Sequence, residues 1–294
     1  MNIQFYCTKI LTISLLFFLS NTKASCQNLS QTYQFGLQAY EQQNYAAAIN
    51  AYERVVFFDD ADSLRPQVYY QLAQCYYNVQ NYPKAQNYYD LAYNLAATDS
   101  QKTQFTLSKV SCLLAQKDAS AALTELYSID ENMVAKPFQK KIRVYYGICF
   151  FALKDFEKSQ VFFLKAATDT ATKIAIKNAF IRVKATNEIN PTPAQWLSTF
   201  VPGLGQLYAG DLKNGLNSIA LTALLAAWAG NIAQNNRPID AILTVYPWFQ
   251  RYYNGGRKHA FDIAKQTVSQ RQYAIYIDIL NAIAFDNALD LNQK

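Results

Sequence analysis

The sequence predicts an all-α protein, a solenoid of repeated helical pairs followed by a C-terminal hydrophobic helical hairpin. Three observations predict it. In residues 66–97 (PQVYYQLAQCYYNVQNYPKAQNYYDLAYNLAA), Tyr69, Leu72, Ala73 and Tyr76 recur at helical spacing, and so do Ala85, Tyr88, Tyr89 and Ala92 beyond a turn at Asn81-Tyr82-Pro83. The turn position recurs as Tyr45, Tyr82, Ala119 and Phe156, each 37 residues after the last. One helical pair cannot bury both its faces, so copies at a fixed period imply stacking. Finally, four of the nine glycines fall between residues 202 and 215, just ahead of a long apolar run.

Residues 1–26 read as a secretory signal peptide. Lys9 precedes the apolar run Ile10 to Leu19, and the small residues Ala24-Ser25-Cys26 follow. That run is too short for a bilayer, which needs about 20 residues. Cleavage after Cys26 is favoured over acylation of Cys26, because Lys23 stands where a lipoprotein signal wants an apolar residue.

Four repeats begin near Leu29, Pro66, Thr103 and Lys140. Gly36, Ala73, Val110 and Gly147 share one position of the first helix, and Ala48, Ala85, Ala122 and Ser159 share one of the second. Small residues there let the two helices approach. Large ones fill the position four residues on: Tyr52, Tyr89, Leu126 and Phe163. Cys75, Cys112 and Cys149 also lie 37 apart. Stacked pairs put equivalent positions about 8–10 Å apart, beyond the roughly 7 Å that a disulfide tolerates, so buried thiols are expected. Thr172 to Glu188, lysine-rich on one face, is expected to cap the array. These features define an expected array over residues 27–190.

This pattern resembles the tetratricopeptide (TPR) repeat family over roughly residues 29–170. It departs in its period of 37 rather than about 34, with extra linker residues such as Asp59-Asp60-Ala61-Asp62, and in repeat three, which lacks the glycine and aromatic marks. The resemblance implies a superhelix whose concave face is lined by first helices. The implied groove positions are Ser30, Tyr33, Leu37, Tyr40 and Glu41, then Gln67, Tyr70, Gln74, Tyr77 and Asn78. Of these, Tyr33, Tyr40, Glu41, Tyr70, Gln74, Tyr77 and Asn78 form the candidate partner-binding groove, since tyrosines and amides suit an extended peptide. In repeats three and four the positions are Leu107, Leu114, Val144, Ile148 and Phe151. Such an apolar row needs a cover, either a partner helix or the chain's own C-terminal part.

Asn190-Pro191-Thr192-Pro193 marks the boundary to a C-terminal domain, residues 191–294. There Pro202, Gly203, Gly205, Gln206, Tyr208 and Gly210, with Gly215 beyond, predict a tight turn and a helix that other backbone can approach closely. The stretch resembles the PGxGQxYxG signature of small bacterial domains with two transmembrane segments, often joined to envelope proteins. That implies a membrane hairpin with spans Gly215 to Ala233 and Ile239 to Phe249, joined at Asn235-Asn236-Arg237-Pro238. The first span reaches roughly 28 Å at 1.5 Å per residue, while the second is shorter and contains Pro247. Tyr246, Trp248, Tyr252 and Tyr253 read as an interfacial belt. Arg251, Arg257 and Lys258 gather at the end away from the turn, against the positive-inside rule if that end is periplasmic. A soluble, buried hairpin is the alternative. The remaining tail is expected to be helical, although Tyr273 to Leu280 also alternates like a strand.

The net charge of +6 is spread thinly, with no basic run suited to nucleic acid. The single histidine, His259, follows Arg257 and Lys258 and is expected on a solvated or interfacial face. Asp59, Asp60 and Asp62 lack the glycine and distant glutamate of a calcium loop and read as a solvated linker. No catalytic residues, metal or cofactor are expected. Two readings remain: an envelope scaffold that binds a protein or peptide in its groove and is tethered by the hairpin, or a structural subunit of a membrane complex whose groove is filled by its own C-terminal part. The sequence assigns no oligomeric state.

Overall fold

The computed structural model describes residues 28–59, 64–235 and 238–292. The signal-like segment 1–26, the linker aspartates 60 and 62, and the turn residues Asn236 and Arg237 lie outside them. Among the described residues the protein is all-α, with no strand. It divides into two compact units, the first ending at Asp130 and the second beginning at Glu131.

The first unit is a helical-repeat solenoid of three pairs: α1 (Leu29–Glu41) with α2 (Tyr45–Phe58), α3 (Arg65–Asn78) with α4 (Tyr82–Asn94), and α5 (Asp99–Ala115) with α6 (Ala119–Tyr127). Each pair also packs on the next, through α2 on α3 and α4 on α5. The residues expected in the crossings are buried there: Ala48, Tyr52, Ala73, Ala85 and Tyr89. The small-residue rule has a direct steric cause. A Cβ on Gly36 would lie 2.6 Å from the Tyr52 ring, and one on Gly147 would lie 2.6 Å from Phe163. Where the first helix carries the bulkier Val110, the partner position carries the slimmer Leu126, so the sum stays nearly constant.

Every pair turns the same way. Gln43, Gln80, Lys117 and Lys154 adopt left-handed backbone (φ 59°, 61°, 64° and 62°). The next residue, Asn44, Asn81, Asp118 or Asp155, then caps the second helix by accepting from the backbone N–H three residues on. Cys75, Cys112 and Cys149 are free and fully buried, and burial pushes each thiol up to about 12. They act as small apolar side chains. Asp59 departs from the solvated linker expected of it. It is 1% exposed, and its carboxylate accepts the Leu64 N–H at 2.8 Å.

The second unit opens with the fourth pair, α7 (Lys136–Ala152) and α8 (Phe156–Ala166), where buried Ser159 donates to the Gly147 carbonyl at 2.8 Å. The helices α9 (Thr170–Asn187), α10 (Pro191–Phe200), α11 (Leu204–Tyr208), α12 (Leu212–Asn235) and α13 (Pro238–Asn292) follow. The helix α13 runs 55 residues through Pro247 and Gly255-Gly256 without a break. One expectation is corrected here: the helix of the second arm does not stop at Phe249. Tyr273 to Leu280 is helix, as expected of the tail, and its strand-like alternation does not make a strand. Pro247 lies on an exposed face, so its ring meets no packed neighbour. The alternating residues Ile275 and Ile279 are one helical turn apart and bury together.

Candidate functional site

Three features carry the functional reading: a tyrosine–amide row in the first unit, a covered apolar row in the fourth repeat, and the hairpin with the knot at its foot. In the first row, Tyr33 and Tyr40 stand on α1, Tyr70, Gln74, Tyr77 and Asn78 on α3, and Glu41 at the end of α1. The four tyrosines are half-buried against the core cluster, while Glu41 and Asn78 are exposed. Each ring leans on an aromatic of the second helix. Tyr33 meets Tyr52 at 5.9 Å and Tyr70 meets Tyr89 at 6.1 Å, while Tyr40–Tyr45 and Tyr77–Tyr82 repeat one edge-on geometry at 5.6 Å and 66°. The hydroxyls reach across to the neighbouring repeat. Tyr40 Oη accepts from Asn78 Nδ2 at 3.1 Å, and Tyr70 Oη accepts from Gln104 Nε2 at 3.1 Å. Gln104 was missed in the sequence, although it stands 34 residues after Tyr70 in the next first helix. Burial raises the Tyr33 and Tyr40 hydroxyls above the usual phenol range, so both remain neutral donors at physiological pH. A row of neutral tyrosines and carboxamides can hydrogen-bond a peptide backbone and stack on its side chains.

The apolar row does not behave uniformly. Leu107 is fully buried in its own unit, so the groove position assigned to it is core. Leu lacks the length that keeps Tyr33 and Tyr70 at the edge. In the fourth repeat, Val144, Ile148 and Phe151 are covered by the chain's own α13. They join one cluster with Ile275, Ile279 and Ile283, together with Phe180 and Val183 of α9. The Phe151 ring lies 5.2 Å from Tyr276 and 5.2 Å from Phe156, the latter repeating the Tyr77–Tyr82 arrangement. Thr172 Oγ1 reaches the Ala282 carbonyl at 3.5 Å, and Arg182 pairs with Asp278 at 2.8 Å.

The glycine motif builds a knot among α10, α11, α12 and α13. Pro202 precedes Gly203, whose φ of 98° requires glycine; a Cβ there would also lie 2.4 Å from the Gly215 carbonyl oxygen. A Cβ on Gly205 would lie 1.8 Å from the Ala194 carbonyl oxygen. Gly215 admits the Leu207 side chain, and Gly210 turns the chain into α12 with φ 87°. Gln206 is 1% exposed and satisfied at both ends. Its Oε1 accepts from Ser198 Oγ at 2.9 Å, and its Nε2 donates to the Gly256 carbonyl at 3.2 Å. Ser198 Oγ in turn accepts the Gly205 N–H at 3.0 Å. Tyr208 donates to the Glu188 carbonyl and accepts the Asn190 N–H, joining the knot to the end of α9. Tyr253 of the expected belt donates to the Thr199 carbonyl at 2.6 Å instead of facing outward alone.

Beyond the knot, α12 and the start of α13 stand side by side with their outer faces bare. Leu212–Gln234 is long and apolar enough to cross a membrane by length and composition, and none of its apolar window is buried. Leu224 is 69% exposed and Leu243 71%, with Ile239, Ile242, Tyr246 and Trp248 also exposed. Among the described residues nothing covers these outer faces. Among the described residues no group of three or more His, Cys, Asp or Glu is placed to hold a metal.

No family model and no curated protein matches the chain. Among solved structures, it is similar to a TPR-repeat protein from Bacteroides fragilis, at 16% identity and a TM-score of 0.36 over 85% of this chain and 99% of that one. It is also similar to a Rap protein complexed with competence and sporulation factor, at 14% identity and a TM-score of 0.38 over 94% of this chain and 81% of that one. At these scores the likenesses assign no residue of this chain a role.

Proposed function

We propose that this chain is a non-enzymatic scaffold of the cell envelope. Its array, residues 27–190 with the capping helix, holds a protein or peptide partner on the tyrosine–amide row. Its C-terminal domain, residues 191–294, tethers it to a membrane, and the segment 1–26 directs its export so that the repeats are periplasmic. The observation that carries the membrane half is the bare apolar surface of the hairpin, since a patch of exposed Leu, Ile and Trp side chains is stable only beside lipid or a partner. The partner half rests on half-buried tyrosines whose hydroxyls are already held in place by Asn78 and Gln104. Pre-positioned rings lose less side-chain entropy when a ligand stacks on them.

A second reading keeps the membrane hairpin but makes the protein a structural subunit of a complex. The cover that α13 lays over Val144, Ile148 and Phe151 favours it for the fourth repeat. The two readings meet if external binding is confined to the first repeats. Membrane tethering is tested by alkaline carbonate washing of the membrane fraction. The full chain is expected to stay in the pellet, and a variant lacking residues 212–256 is expected in the supernatant. Release of the full chain would mean that the hairpin is an ordinary protein–protein surface.

A further inference from the structure

The two arms of the hairpin lose their apolar character at different heights. On α12 the apolar stretch extends from Gly215 to Ala233, whereas on α13 it ends at Phe249, and Gln250 and Arg251 follow at once. At 1.5 Å per residue the two stretches span roughly 28 and 16 Å. Arg251 therefore sits beside the first turns of the longer stretch, where α12 still carries Asn217, Ser218 and Thr222. Between the arms at this height lies a polar cleft of about 360 Å3, lined among others by Asn214, Asn217, Ser218, Arg251, Gly255 and His259. Gly255 faces open space, with nothing within 4 Å of where its Cβ would stand. No acidic side chain lines the cleft, and among the described residues Arg251 makes no ion pair, whereas His259 interacts electrostatically with the nearby Asp211. The nearby Asp211 carboxylate is engaged by Asn214, through its N–H at 3.0 Å and its Nδ2 at 2.6 Å. Closer to the tip, the same two helices leave an apolar groove of about 300 Å3 lined by Leu225, Ala229, Ala241, Val245 and Phe249, among others.

We infer that this cleft binds the phosphate of an anionic phospholipid, with the acyl chain lying along the apolar arms. The inference rests on the membrane reading above. An arginine held at the edge of a hydrocarbon layer needs a counter-charge, and a lipid phosphate supplies one without a protein partner. Arg251 offers its forked donors to the phosphate oxygens, and the Asn217 amide and the Ser218 hydroxyl add neutral donors. The same arrangement gives the basic end of the hairpin a role that does not depend on which side of the membrane it faces.

The test uses the full chain reconstituted in mixed vesicles of phosphatidylcholine and phosphatidylglycerol in which only one of the two lipids is brominated at a time. The bromines quench Trp228 and Trp248, both on the hairpin. Quenching is expected to report about a fivefold preference for phosphatidylglycerol. In the Arg251→Gln, His259→Gln double variant the preference should fall to about one, with helical circular dichroism unchanged. Equal quenching by both lipids in the unaltered protein would overturn the headgroup site while leaving the hairpin in the membrane. No quenching by either lipid would overturn the membrane reading and the site with it. Inorganic phosphate is compared with chloride at the same ionic strength. If phosphate alone abolishes the preference, the site takes free phosphate and the lipid assignment fails; retention of the preference supports it.

Discussion

Replacing Gly205 with alanine is expected to dismantle the foot of the hairpin and to cost at least about 3 kcal/mol. The added methyl would lie 1.8 Å from the backbone oxygen of Ala194 and 2.6 Å from Ser198 Oγ. Backbone on one side and a buried hydrogen-bonding hydroxyl on the other leave nothing flexible to yield. If α10 and α11 separate to admit the methyl, Ser198 loses both the Gly205 N–H and the Gln206 carboxamide. Gln206 would then be buried with an unsatisfied oxygen, which carries its own cost of about 1–3 kcal/mol. The measurement is thermal unfolding in detergent, together with protease cleavage between residues 200 and 215. Gly230→Ala is the control. It lies within α12 with nothing within 4 Å of the new methyl, so it should stabilise by about 0.5–1 kcal/mol. Opposite signs for two Gly→Ala changes in one domain would locate the effect in the knot rather than in glycine content.

Ile279→Ala is expected to cost about 2–5 kcal/mol, because Ile279 is 1% exposed at the centre of the cluster joining α13 to α9 and the fourth repeat. The loss should also change what is accessible. Once the end of α13 loosens, the row Val144, Ile148 and Phe151 loses its cover, and the protein should bind a hydrophobic dye at temperatures where the unaltered chain does not. Asp278→Ala, the adjacent position, removes only the Arg182 ion pair. Both partners there are about half exposed, so the cost should stay below about 1 kcal/mol. Equal effects at 278 and 279 would contradict the packing register of α13.

The repeat was legible because close helix crossings restrict residue size, and Gly36, Ala48, Ala73 and Ala85 record that restriction directly. The left-handed residue before each second helix was not read. Gln43, Gln80, Lys117 and Lys154 include no glycine, and their strain is offset by the capping residue that follows. The Asn, Asn, Asp, Asp series at the caps was the available signal. The tyrosine positions were readable from spacing, but the link from Tyr70 to Gln104 depends on how far adjacent pairs are offset. The hairpin was legible as an apolar pair. Its second arm reads as short from sequence because the apolar stretch ends at Phe249 and contains Pro247. Here the helix continues through Pro247 and Gly255-Gly256, and the Gly256 carbonyl is taken by Gln206 of the knot. The cover over the fourth repeat was anticipated, from a partner helix or from the chain's own C-terminal part; local pattern could not decide between them, because the segment that supplies it lies more than 120 residues away.

The central claim is that the tyrosine–amide row, and not the fourth-repeat row, receives an external partner. A photo-reactive phenylalanine derivative placed at Tyr77, and separately at Ile148, tests it in intact cells by the adducts formed on illumination. Position 77 is expected to yield a heavier adduct containing a second protein, while position 148 should cross-link only to the chain's own α13. Capture of a foreign protein from position 148, with none from position 77, would contradict the claim.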